Sequence, residues 1–480
     1  MSNDRRDFLK LAGLAGVGLV STGFISGCAS SAGTSQLSQI QSQAKKSHRQ
    51  VFNMSGYAAP RMDKVRVGYI GLGMRGPASV VRMNHIEGVE IKALCDIRPE
   101  RIAAVQKKLE GSIHKPATYS GKEDAWKEMV NRDDIDLVYI ATPWHLHTPM
   151  AVYAMEHGKH VAVEVPAAKT LEECWQLVET SERTKKHCMM LENCCYDFFE
   201  MLTLNMARQG FFGELVHGEG AYIHNLIDLN FAKTSDTEEA YYNMWRLKEN
   251  GRNGSLYPTH GLGPICQVME INRGDQLDYL TSVSSNDFSM GPKAKELAAK
   301  DNFYQEFTQM NFRGNMNTTT IRTKRGRTIM IQHDVSSMRP YSRIHVVSGT
   351  KGIAQKWPNP ARIATSHENW LSPEQFKKVE EQYTPPLIRK LGEMAKKIGG
   401  HGGMDFLMEW RLVDCLRNGL PLDQDVYDAA LWSSVAPLSE WSVANRSNSI
   451  DVPDFTAGAW QKNKPVELTL QGGGTTNVKA

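Results

Sequence analysis

The chain has little net charge. Its 480 residues carry 56 basic and 53 acidic side chains, a balance of +3, and no basic tract. The electrostatic footprint of a nucleic-acid-binding protein is missing, and that class is set aside. Cysteine is sparse as well. Of eight, Cys28 stands near the start, and the other seven show no metal-ligand spacing, Cys194 and Cys195 being adjacent. No metal site is expected, and packed free thiols are expected in place of a disulfide framework. No internal repeat is present, and past residue 25 no apolar run is long enough to span a membrane. The 22 methionines read as core filler.

What is present is a glycine signature, VRVGYIGLGMRG (residues 65–76). Residues 65–70 fit a buried strand. Gly71 allows the tight turn out of it, Gly73 lets the backbone approach a pyrophosphate, and Gly76 lets the next helix pack on the strand. Met74 and Arg75 lie in the same loop and are counted with these as cofactor-binding. The helix N-terminus then offers free N–H groups to the phosphates. The next apolar run ends at Asp96, 20 residues past Gly76, where an acid binds a ribose 2′-hydroxyl. That favours NAD over NADP, with Arg98 close enough to blur the preference.

The same chain opens with Arg5 and Arg6 in RRDFLK, followed by a mild apolar stretch over residues 11–25. This is a twin-arginine export signal. It ends ISGC, similar to a bacterial lipobox, so residues 1–27 are expected to be a signal peptide and Cys28 a lipidated first residue. The competing reading, a transmembrane anchor, meets a stretch too short and too rich in glycine. Residues 28–63, rich in Ser, Gln, Ala and Lys, lack a period and are expected to form a flexible tether. The expected location is the bacterial cell envelope, periplasmic or anchored as a lipoprotein, reached in the folded state. A nicotinamide enzyme there loses the systems that recycle its cofactor. A redox-neutral cycle on tightly bound NAD resolves that conflict.

The remaining chain, roughly 415 residues, is long enough for two domains. Over residues 64–193, strand-like runs (65–70, 89–95, 137–141, 160–163 and 188–191) alternate with helical patterns, and Thr170 with Glu173 forms a capping box. This predicts an α/β fold, a Rossmann doubly wound parallel sheet. Over residues 194–480 the runs follow one another: 215–224, 278–288, 316–323, 328–333 and 343–347. Residues 324–327 look like a hairpin turn between two of them. This predicts an α+β substrate domain with a mainly antiparallel sheet. Helices are expected over residues 404–418 and within 421–445, and the last 25 to 30 residues are an aperiodic tail.

Residues at the C-terminal ends of parallel strands line the cofactor crevice. Trp144 is placed to stack on the cofactor, and His147 to bind a ribose or else to cap the next helix. Glu164, Val165 and Asn193 end two further strands and fit a nicotinamide-ribose contact. Tyr222 and His224 alternate on a strand and face one side, as the wall of a sugar site or as a polar face. His260 can accept and return a proton near neutral pH, or can be a core or capping histidine.

Several short segments occur together: GLGMRG, ATPWHLH (141–147), EVP (164–166), Glu192-Asn193, EGAYIH (219–224), YPTH (257–260) and MRPYSR (338–343). With them the chain, over residues 64 to about 445, resembles the Gfo/Idh/MocA group of NAD(P)-dependent enzymes. Within that group it is similar to glycoside hydrolase family 109, the NAD-dependent α-N-acetylgalactosaminidases. Typical dehydrogenases of the group carry Glu-Lys-Pro, whose lysine moves a proton; Val165 stands here instead. The resemblance implies substrate contacts at Tyr222, His224, Arg246, Tyr257, His260 and Tyr341, with Tyr222, His260 and Tyr257 catalytic.

It also implies a glycosidase route other than the usual two carboxylates. The sugar is oxidised at C3 by NAD⁺, loses its C2 proton, and eliminates the C1 substituent. Water then adds at C1 and the ketone is reduced again. The expected substrate is a glycoside or glycan ending in α-linked N-acetylgalactosamine. The alternatives are a periplasmic sugar oxidoreductase with tightly bound NAD(P), for which the missing lysine is a difficulty, and a non-catalytic sugar-binding lipoprotein. No nucleic acid is expected as a partner, the membrane is met only through Cys28, and pairing into a homo-oligomer stays open.

Overall fold

The structure is a computed structural model that describes residues 39–479; the export signal and Cys28 lie outside the described residues. Six short strands are β1 (Val65–Ile70), β2 (Val89–Cys95), β3 (Ala117–Tyr119), β4 (Leu137–Ile140), β5 (His160–Val163) and β6 (Cys188–Met190). They form one parallel sheet in the order β3-β2-β1-β4-β5-β6. β4 and β5 are buried at every residue, which is why they read as continuous apolar runs rather than alternating ones. The strand order reverses between β1 and β4, so a crevice opens at their C-terminal ends. Gly71 makes the turn there at φ 91°, where a Cβ would meet the Ala141 carbonyl oxygen at 2.5 Å. Thr170 and Glu173 make both bonds of the predicted capping box, at the start of the helix Leu171–Thr184.

The second sheet has eight strands: β7 (Leu215–Ile223), β8 (Leu277–Ser284), β9 (Asn317–Thr323), β10 (Thr328–Asp334), β11 (Val346–Gly349), β12 (Ile353–Gln355), β13 (Arg362–Ala364) and β14 (Ile450–Asp451). Their order is β13-β12-β11-β7-β10-β9-β8-β14, antiparallel at every pair except β7 with β10. The predicted turn over residues 324–327 closes the β9–β10 hairpin, with the Thr323 N–H donating to the Arg327 carbonyl and Gly326 at φ 85°. The expected strand over 343–347 begins only at Val346. Ile344 and His345 have φ of 59° and 48°, because Arg343 is drawn instead to the carboxylates of Asp197 and Glu200. A tertiary ion pair here overrides the strand preference of isoleucine.

Two further differences concern domain limits. Residues 40–63, expected within the tether, are packed on the body. Ile40, Ala44, Met54 and Ala59 are buried, His48 pairs with Glu182, and the Met54 N–H donates to the Tyr427 hydroxyl. The anchors are few and widely spaced, so they carry no period. In addition, the C-terminal part returns to the parallel sheet. Arg82, on the helix Gly76–Asn84, donates twice to Glu409 of the helix Met404–Asn418, at 2.9 and 2.6 Å. The tail then closes on both: Trp410 Nε1 donates to the Thr476 carbonyl, and the Lys479 N–H to the His85 carbonyl. A single cut at residue 193 therefore divides the sequence but not the packing.

The seven described cysteines are free and buried. Burial pushes their thiols up, to about 12 for Cys95. No described helix is long and apolar enough to cross a membrane.

Candidate active site

The glycine loop has the shape a dinucleotide needs. A Cβ on Gly76 would lie 2.1 Å from the Gly71 carbonyl oxygen, whereas a Cβ on Gly73 would meet nothing within 4 Å. Gly76 thus closes helix onto strand, and Gly73 faces the room into which a pyrophosphate fits. The helix Gly76–Asn84 has no side-chain cap, so its first amides are available to an anion. Asp96 is buried beside the loop. Its carboxylate accepts the Leu72 N–H at 2.7 Å and the Arg98 N–H at 2.9 Å. The Arg98 guanidinium stacks on the Tyr242 ring, 4.7 Å from its centroid.

The other expected cofactor residues gather at the strand ends. Glu164 and Val165 follow β5 and are buried; Met74 is exposed. Arg75 turns inward, its Nε 3.1 Å from Glu164 and its guanidinium 3.4 Å from Asp405. The Asn193 amide donates to the same Asp405. His147 is buried, with Nδ1 and Nε2 each 2.7 Å from a backbone carbonyl, those of Pro166 and Thr142. The ring lies between the loops after β4 and β5, and as a neutral imidazole, which burial favours, it donates to one of the two carbonyls.

Asp405 ties this edge together. Burial pushes its carboxyl up, but the bond from His401 and the charges of Arg75 and Arg82 outweigh that and hold it well below the usual range. Its ionic contribution to stability is therefore fully present above about pH 4. That contribution is lost only as pH falls through the depressed folded value. Asp405→Ala leaves two arginines facing each other without it and is expected to destabilise the fold by about 3–5 kcal/mol. Urea unfolding at pH 7 reads this; a change under about 1 kcal/mol would show the network to be dispensable.

Beside the crevice stands an aromatic cluster. The Arg246 guanidinium lies against both Trp144 and Tyr257, 4.1 and 4.8 Å from their ring centroids. Trp144 and Tyr257 are themselves parallel, 5.7 Å apart. The Tyr222 ring is 4.8 Å from Tyr257 and 5.3 Å from His260, and its hydroxyl is 3.0 Å from His224 Nδ1. Tyr341 stands edge-on to His224 at 5.1 Å, and Arg343 donates to its hydroxyl. Burial raises the phenols of Tyr222 and Tyr257 well above their ordinary value and pushes Tyr341 up to about 12. Burial, then the charges of His260 and Arg246, lower His224. Neutral phenols and a neutral His224 make Tyr222 a donor toward that imidazole.

Two glycines make the cluster possible. A Cβ on Gly220 of β7 would come 2.3 Å from the Gly261 carbonyl oxygen. One on Gly261, in the helix Thr259–Val268, would come 2.3 Å from the Ala221 nitrogen. Backbone thus touches backbone two residues before Tyr222 and one after His260. His260 Nδ1 is then seated on Glu192, 2.7 and 3.0 Å from its two oxygens. Burial pushes Glu192 up, but His260 outweighs it and leaves the carboxylate below its usual range. The pair fixes Nδ1 and leaves Nε2 as the nitrogen for chemistry.

Residues 196–462 match the family model described as glycosyl hydrolase 109, C-terminal domain. Residues 65–192 match the oxidoreductase family, NAD-binding Rossmann fold. The chain belongs to glycosyl hydrolase family 109. It is 50% identical over 426 residues to glycosyl hydrolase family 109 protein 1 of Bacteroides fragilis, covering 85% of this chain and 89% of that one. It is 47% identical over 470 residues to the alpha-N-acetylgalactosaminidase of Shewanella oneidensis, covering 97% and 98%. Among solved structures, an NAD-binding oxidoreductase from Klebsiella pneumoniae has the same fold. Its TM-score is 0.62 at 17% identity, over 82% of this chain and all of that one.

This family 109 site therefore joins an NAD-binding Rossmann domain to an aromatic, histidine-bearing wall. Three of its parts were not anticipated from the sequence: the role of Glu192, the role of Asp405, and the Gly220–Gly261 contact. Glu192 ends a buried strand at the crevice edge, which is a readable signal; Asp405 lies 212 residues from Asn193 and gives none. Glu192, Cys194 and His260 also bring one donor atom each within 4.8 Å, a spacing that suits a metal ion. The chemistry of the trio favours the hydrogen-bonded pair. Burial keeps the Cys194 thiol well above its ordinary value, and Glu192 is already engaged by His260.

Proposed function

We propose that this family 109 enzyme is an exo-acting α-N-acetylgalactosaminidase that keeps one NAD bound through every turnover. The observation that carries it is the convergence of Tyr222, Tyr257 and His260 on one wall beside the cofactor crevice, where Val165 offers no proton. Its bearing on NAD rests on the glycine loop and on Asp96, a buried acid placed for a ribose 2′-hydroxyl, while the neighbouring Arg98 guanidinium is stacked on Tyr242. The bound cofactor supplies a reversible oxidant for sugar C3.

The protein's own groups do the rest. Tyr222 and His260 carry between them the proton transfers at O3 and C2, and Tyr257 supports both. The ketone at C3 acidifies the C2 proton, and its removal expels the group on C1. Water adds at C1 and C2 is protonated again. His224 gives the Tyr222 proton a path toward solvent. Arg246, Tyr257 and Tyr341 hold the ring and its acetamido group. The twin-arginine segment and the lipobox support export in the folded state to the cell envelope, with a lipid on Cys28 as the attachment. A cycle that leaves NAD as it found it suits that location.

The test is hydrolysis of p-nitrophenyl α-N-acetylgalactosaminide by purified enzyme, without added NAD, in D₂O. Nitrophenol release with deuterium at sugar C2 is expected. Release with no C2 deuterium from a solvent-open site would overturn the elimination route. Separate keto and alcohol products from two sugars would favour a two-substrate oxidoreductase.

A further inference from the structure

We infer that residues 241–246 are a strap that the substrate domain lays across the bound NAD, latched by Tyr242 on Arg98; this rests on the captive-NAD reading. The sheet order carries the geometry. β2 and β4 flank β1, and a dinucleotide held by the glycine loop after β1 runs across the ends of these strands. Asp96 and Arg98 follow β2, and Trp144 follows β4. The segment touches both sides. The Tyr242 ring meets the Arg98 guanidinium, 4.7 Å from its centroid. Three residues on, Trp245 stands edge-on to Trp144 at 5.5 Å, and Arg246 lies against the same ring at 4.1 Å. Two strand spacings are about 10 Å, a gap that three or four residues cover. The chain between those contacts therefore passes over the crevice at β1.

Both flanks of the strap are tied to the Rossmann domain. Before it, Arg101 of the helix Pro99–Lys108 donates to the Glu238 carbonyl at 2.8 Å. After it, Lys169, in the loop after β5, lies 2.6 Å from Glu249, and Arg252 donates to the Lys169 carbonyl. Between these ties the backbone takes an unfavoured bend. Asn243 and Met244 have φ of 53° and 54°, two left-handed residues in succession with no glycine. Such a bend persists where its flanks impose it. The two sides differ in burial. Trp144 and Arg246 are buried, whereas Tyr242 is 38% exposed. The Trp144 side is thus the hinge, and the Tyr242 stack is the end that opens without disturbing a core.

The test compares wild type with Tyr242→Leu and with Arg101→Met, which remove the stack and the tie while keeping bulk. The readouts are exchange of bound NAD for isotopically labelled NAD, the rate at which stripped protein takes up NAD, and the Kd from equilibrium titration. The latch joins protein to protein, so its loss lowers the barrier to entry and exit alike. For Tyr242→Leu, release and uptake each about fivefold faster are expected, with Kd within about twofold of wild type. Arg101→Met should act in the same direction. Faster release with unchanged uptake, so that Kd weakens in step, would make Tyr242 a direct cofactor contact and overturn the strap. Unchanged rates in both variants would overturn it as well. A wild type that sheds its NAD freely would overturn the captive-cofactor reading separately, while the ratio of rates between variant and wild type would still decide the strap.

Discussion

Replacing His260 with glutamine is expected to lower kcat by about 10²–10⁴-fold while NAD stays bound. Glutamine has a similar size and keeps a hydrogen bond to Glu192, so the wall stays in place. It cannot take up and return a proton. The seat on Glu192 matters for the direction of the effect. The buried carboxylate holds Nδ1 and so orients Nε2 outward. Glu192→Gln is therefore expected to cost less than His260→Gln and to shift the pH profile. Kinetics on p-nitrophenyl α-N-acetylgalactosaminide with a parallel assay of bound NAD separate the cases. A His260→Gln loss under tenfold would remove His260 from the proton path.

Gly261→Ala is expected to reduce kcat/KM about 10²-fold without touching any group that reacts. Its new Cβ would sit 2.3 Å from the Ala221 nitrogen, where ordinary contact needs about 3.5 Å. The helix Thr259–Val268 and β7 must then part by roughly 1 Å, and His260 moves away from Tyr222 with them. The stability cost is about 1–3 kcal/mol, typical of overpacking. NAD content should be retained, since the glycine loop lies on the other domain. Loss of NAD together with activity would show general disruption instead of a misaligned wall. Gly220→Ala, whose Cβ meets the Gly261 carbonyl oxygen, should behave alike.

The parallel sheet is legible because its signals are local. Strand, glycine turn, helix and acid follow one another within about 30 residues, and the buried strands are uniformly apolar. The capping box at Thr170 and the β9–β10 turn are local for the same reason. The rest depends on distant partners. Ile344 and His345 read as strand and adopt left-handed turns, because Arg343 answers to Asp197 and Glu200. Residues 40–63 read as tether since their anchors meet Trp175, Glu182 and Tyr427, all more than a hundred positions away. In the site, Tyr222, Tyr257 and His260 are visible as residue types suited to sugar and proton. The Glu192 seat spans 68 residues, and no spacing rule reaches that far.

The buried cysteines carry one more consequence. In the native protein no described thiol meets solvent, and each is held in its neutral form, so an oxidant finds little to attack. Unfolding releases all of them at once. Sulfurs that join in that state bridge positions with no native partner, and the chain does not find its way back. In an oxidising medium each opening is then one-way. What governs how long the enzyme survives is the height of its unfolding barrier, a half-life and not an equilibrium constant.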